Sequence, residues 1–69
     1  MENPATTRLF RLCFRSLFDR GRGYAFPCDG DGRVNLDDLS DRARNNYFRA
    51  RAMVGRELAL PRVEPAGLP

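Results

Sequence analysis

The chain has 69 residues and a net charge of +3, built from twelve basic residues that are all arginine against nine acids, with no histidine. That length allows one domain, which buries only about 60% of the surface its unfolded chain exposes, so stability is marginal. No apolar run approaches the roughly 20 residues of a membrane span, and without histidine the chain lacks the usual general base near neutral pH and the commonest metal ligand.

Residues 1–6 read as a flexible N-terminus, and MENPATTR has no basic region leading into an apolar stretch, so no signal peptide is expected. A cytoplasmic location follows, where Cys13 and Cys28 stay reduced. With no motif spacing around them they read as small, half-buried hydrophobes rather than as a disulfide or a catalytic thiol. Lys, His, Trp, Gln and Ile are all absent, which reads first as the codon bias of a GC-rich bacterial genome.

The segment TTRLFRLCFRSLFDR fits two templates. As a strand it places Phe10, Leu12, Phe14, Ser16 and Phe18 on one face and Arg11, Cys13, Arg15, Leu17 and Asp19 on the other. As a helix it stripes Arg8, Arg11 and Arg15 in front of Phe10, Cys13, Phe14 and Leu17. The turn residues of Asp19-Arg20-Gly21-Arg22-Gly23 and the β-prone Tyr24-Ala25-Phe26 that follow favour a hairpin. Pro27 cannot donate to a ladder, which makes the second strand an edge.

CDGDGRVNLDDL comes next. Placing Gly32 at the glycine position of a calcium loop aligns Asp29, Asp31, Asn35 and Asp38 with ligand positions. These residues resemble a degenerate dockerin-type EF-hand loop, and the resemblance covers that loop alone. The first ligand position is Pro27, which has no side-chain oxygen. The preferred reading is a glycine turn with Asx turns at Asp29 and Asp31 and an aspartate cap on the following helix, with no metal and no cofactor. A brief extended piece at Arg33-Val34-Asn35 precedes the helix.

From Asp37 to Val54 the apolar residues Leu39, Ala43, Tyr47, Ala50, Met53 and Val54 recur at threes and fours, which predicts an amphipathic helix. Asp37, Asp38 and Asp41 suit its positive end and Arg49, Arg51 and Arg56 its negative end. Gly55 fits a C-terminal cap. Asn46 falls in the apolar stripe and needs a hydrogen-bond partner. Phe48 falls opposite the stripe and reads as a contact residue. ALPRVEPAGLP, residues 59–69, reads as a Pro-rich flexible tail because its prolines forbid helix and ladder bonding.

GYAFPCD followed by GRVNLDDLSDRARNNYFRARAMVGREL resembles a type of short uncharacterised protein encoded in proteobacterial genomes. That resemblance implies a bacterial, cytoplasmic origin and assigns no functional residue.

Together these readings give an α+β domain over residues 7–58, a two- or three-stranded antiparallel β-meander whose Phe10, Leu12, Phe14, Phe18 and Phe26 pack on the helix stripe. A two-helix hairpin is the runner-up. Charge is segregated into a basic block at 8–22, an acidic block at 29–41 and a basic block at 42–62. This favours pairing of the acidic loop with its flanks or steering of an acidic partner. The expected function is a small non-enzymatic binding or adaptor module acting through a protein partner or self-association, with no membrane and no small-molecule substrate. Nucleic-acid binding along the arginine-lined helix is the alternative. Either way the binding residues expected are Arg42, Arg44, Asn46, Phe48, Arg49, Arg51 and Arg56.

Overall fold

The computed structural model describes residues 10–66. The order is strand β1 (Phe10–Arg15), strand β2 (Gly23–Cys28), a short 3-10 turn (Leu36–Asp38), helix α1 (Asp41–Ala52) and strand β3 (Arg62–Pro65). Arg8, Leu9 and the N-terminus expected at 1–6 lie outside the described residues, as do 67–69. The α+β class and the antiparallel sheet packed on one helix are as expected, and the helical alternative for the first segment falls.

The strand reading holds because the period-two alternation of β1 matches the pleat. Leu12 and Phe14 are buried while Arg11 and Arg15 are exposed. β1 pairs antiparallel with β2, setting Phe10 opposite Cys28, Leu12 opposite Phe26 and Phe14 opposite Tyr24. The Ser16 amide donates to the Arg22 carbonyl at 3.0 Å, which fixes the alternation of bonded and non-bonded pairs. On that alternation Pro27, opposite Arg11, sits where no N–H is owed to β1, on an edge strand as expected.

Phe18 is a correction. It was expected in the core and is 77% exposed. Ser16 Oγ accepts from the amides of Phe18 and Asp19 at 3.1 and 2.9 Å, which turns the chain out of the strand, and the alternation that would have buried Phe18 stops there.

The third strand comes from an unexpected place. The sheet order is β2-β1-β3, so β1 is central and β3 arrives from the segment expected to be a flexible tail, not from Arg33–Asn35. Prolines do not prevent this. Pro65 ends the short strand, Arg62, Val63 and Glu64 lie opposite Cys13, Leu12 and Arg11, and Pro61 lies just outside it. A second contact brings Ser16 opposite Leu58. Two residues lie between Cys13 and Ser16 while three lie between Leu58 and Arg62, so one extra residue bulges out of the outer chain around Pro61.

The helix expected over 37–54 is shorter and broken. Asn35 Oδ1 accepts from the Asp37 amide at 3.0 Å and caps the 3-10 turn. Leu39 is extended, with φ −99° and ψ 145°, and Ser40 Oγ then accepts from the Ala43 amide at 3.1 Å to start α1. Two side chains that cap efficiently in tandem thus divide what periodicity alone joins. Asp37 and Asp38 consequently lie outside α1, and only Asp41 occupies its first turn. Ser40→Ala should cost about 0.5–2 kcal/mol, read as a lower urea midpoint at unchanged slope.

The core lies between the sheet and α1: Leu12, Phe14, Phe26, Cys28, Leu39, Ala50 and Leu58 are buried. Phe14, Phe26 and Tyr47 meet edge to face, with centroids 5.3–6.4 Å apart, and Tyr24 stacks on Phe26. Ala50 is wholly buried where α1 crosses the sheet, and only a small residue there lets the two layers approach.

Candidate functional site

The residues expected to bind on α1 do not form one site. Arg44 is half-buried and is used by the fold. Its Nε donates to the Leu36 carbonyl and one terminal nitrogen to the Leu39 carbonyl, both at 3.2 Å, while the other lies 3.4 Å from Asp41 Oδ1. It therefore ties the 3-10 turn to the helix. Arg51 places its guanidinium 5.6 Å from the Tyr47 ring centre, a cation–π contact. Asn46 is half-buried, and among the described residues no buried side-chain nitrogen or oxygen lacks a partner. Arg42, Arg49 and Arg56 are exposed. Phe48 is 52% exposed, with its ring 5.9 Å from that of Tyr47.

The acidic loop is a turn closed by its own side chain. Asp29 Oδ1 accepts from the amides of Asp31 and Arg33, each at 2.9 Å, and the Gly32 amide donates to the Asp29 carbonyl at 3.0 Å. Gly32, at φ 85°, takes the left-handed conformation the turn requires. Two of the four oxygen-bearing residues of the calcium reading, Asp29 and Asn35, thus spend a side-chain oxygen on backbone amides. Among the described residues no three His, Cys, Asp or Glu side chains come together as a metal site. Of the loop aspartates only Asp41 enters an ion pair among the described residues, with Arg44, so the expected pairing of the acidic block with its flanks is confined to that contact.

The amides of Arg33 and then Asp31 hold the Asp29 carboxyl below the usual aspartate range. A depressed folded value means that this carboxylate's contribution is complete above about pH 3.8, the ordinary aspartate value, and is lost as pH falls through the lower one. The Arg33 amide resonance should therefore titrate with a midpoint below that of a free aspartate in an acid series followed by NMR.

A different surface is better formed. Because α1 covers one face of the sheet, the other faces solvent. Its centre is a patch of small residues, Cys13 on β1 facing Ala25 on β2, with Gly23 of β2 opposite Arg15 of β1. Gly23 has φ 147°, and a Cβ there would meet the Phe14 carbonyl oxygen at 2.1 Å. Around this floor stand Arg11 and Arg15 from β1, Arg20 and Arg22 from the hairpin connection, and two acids, Asp19 and Glu64. Together they line an open groove of about 690 Å³. Glu64 accepts from Arg15 at 2.9 Å and Asp19 lies 3.5 Å from Arg22. Among the described residues Arg11 and Arg20 take part in no ion pair.

Within the groove the Glu64 carboxyl is held below its usual range by the hydrogen bond from Arg15. The Cys13 thiol is pushed up, first by burial and then by the Glu64 charge. Cys28, on the core side, is also pushed up by burial. Both are free cysteines on opposite faces of the sheet. Native protein should thus react with a thiol reagent through Cys13 alone and slowly, and Glu64→Gln should speed that reaction, as a stopped-flow measurement at pH 8 would show.

Sequence reasoning assigned Arg11 and Arg15 to the polar side of the strand and read Arg20 and Arg22 as turn residues. It missed that the hairpin and β3 assemble them around a common floor. The signal lay in the alternation Arg-Leu-Cys-Phe-Arg facing Gly-Tyr-Ala, large on one side and small or basic on the other. No helix among the described residues is long and apolar enough to cross a membrane. No family model, curated protein or solved structure matches the chain.

Proposed function

We propose that the chain is a small, non-enzymatic, cytoplasmic binding module that works through protein contacts made by the uncovered sheet face. The observation that carries this reading is the one-sided sheet. Its helix side holds the aromatic core, while its other side holds an arginine-walled groove with a floor of small residues. Of the side chains lining the groove, Cys13 has its thiol pushed up and Ser16 spends its hydroxyl oxygen on the amides of Phe18 and Asp19, and neither arrangement activates a nucleophile. Nucleic acid bound along α1 loses support because Arg44 is committed to backbone carbonyls and Arg51 to Tyr47. A photo-crosslinking side chain at Ala25, on the groove floor, should give polypeptide adducts in cells expressing the protein, whereas one at Asn45 on the outer side of α1 should not. Adducts at position 45 alone, or adducts to nucleic acid alone, would overturn the reading.

A further inference from the structure

We infer that the occupant of the groove is an extended acidic peptide segment of a partner protein; this rests on the reading of the open sheet face as the contact surface. The floor of Cys13, Gly23 and Ala25 projects too little to obstruct a main chain lying flat on the sheet. The walls supply guanidinium groups, which take carboxylates in a two-pronged, charge-assisted geometry. The two acids of the groove are already satisfied by Arg15 and Arg22, leaving Arg11 and Arg20 with no ion-pair partner among the described residues. That arrangement attracts negative charge without neutralising it internally.

Two other occupants fit less well. Single-stranded nucleic acid binds on platforms of exposed aromatic rings, but Phe14 and Phe26 turn toward the helix and pack on Tyr47, Tyr24 stacks on Phe26, and the exposed ring of Phe18 does not line the groove. A second copy would have to offer its acidic block. That block is not extended: Asp29 closes a tight turn on itself and Leu36–Asp38 is a 3-10 turn. A loop-into-groove contact between copies is also head-to-tail and does not close into a dimer unless a two-fold axis doubles it.

The test is fluorescence anisotropy with the full chain and three labelled probes: a peptide alternating serine and glutamate, its serine–glutamine counterpart, and an oligothymidylate. The acidic peptide should bind at low salt and weaken at high salt, and the glutamine peptide should not bind. The double variant Arg11→Glu with Arg20→Glu should lose about tenfold or more in affinity. Because a glutamate at 11 faces Glu64 across the β1–β3 pair and like charges there destabilise, Arg11→Gln and Arg20→Gln, intermediate in affinity with unchanged thermal melts, keep the loss separate from unfolding. Glu64→Gln, which frees Arg15 and removes a carboxylate, should tighten binding. Equal binding of the glutamine peptide, binding of the oligothymidylate in preference, or self-association in light scattering that Arg11→Glu abolishes would each overturn the inference. Polypeptide crosslinks at Ala25 without acidic-peptide binding would sink the inference and leave the proposed function standing. Absence of both would sink the two together.

Discussion

Phe14→Ala should leave a chain that no longer folds cooperatively at 25 °C. Phe14 is 1% exposed on the central strand, and its ring meets Phe26 at 5.9 Å and Tyr47 at 6.4 Å. It therefore joins β1, β2 and α1 at one point. Truncating a buried phenylalanine costs about 3–5 kcal/mol in transfer and cavity terms. A domain holding roughly 0.05–0.15 kcal/mol per residue has a total of about 3–10 kcal/mol to lose. A 69-residue chain, with so little surface buried, sits toward the lower end of that range, where the substitution removes most or all of the total. Circular dichroism should show a broad, non-cooperative melt with reduced helix signal. A sharp transition within about 1 kcal/mol of the parent would show that the aromatic cluster is not what joins sheet to helix.

Gly23→Val should be nearly as damaging, through the backbone rather than through packing. At φ 147° the residue sits where side chains are rarely accommodated, and any Cβ would lie 2.1 Å from the Phe14 carbonyl oxygen. The sparsely populated conformation alone costs on the order of 1–3 kcal/mol. The overlap cannot be relieved by a rotamer change, because the obstructing atom belongs to the central strand. The first bonded pairs of the hairpin must separate, loosening the floor of the groove with them. Amide exchange measured by NMR should rise around Phe14 and Tyr24 while α1 stays protected. Unchanged exchange at those amides would mean that the strand start can rotate away at little cost.

How much of this could be read from sequence depends on which physical signal each element carries. Period-two alternation identified β1 through Ser16, and the downstream glycines decided between strand and helix. The periodicity of Ala43, Tyr47, Ala50 and Val54 identified the core-facing side of α1. Boundaries were harder because they depend on single hydrogen bonds. Ser40 starts the helix four residues later than the apolar pattern suggests, and Ser16 Oγ ends the strand before Phe18. Arg44 looked like one more exposed cation until the carbonyls of Leu36 and Leu39 converged on it. β3 was hidden by its prolines: Arg62-Val63-Glu64 is too short to declare itself, and its pairing depends on a bulge around Pro61 that has no local sequence signature. The groove was hidden for the same reason, since Glu64 reaches Arg15 only across a strand pair far apart in the chain.

The two neighbours of β1 differ in how they are reached. β2 returns through a short hairpin, whereas the Arg15–Glu64 contact spans 49 positions. Closing the longer loop costs more entropy before any bond repays it, and the reward is four residues of ladder. β3 should therefore be the last element to dock and the first to lift away, on a path where hairpin and helix are already in place. Each such opening exposes the bare flank of the central strand, and it also detaches Glu64 from Arg15, freeing that guanidinium. The same excursion that makes the chain vulnerable to pairing with a foreign strand makes it momentarily more attractive to an acidic one.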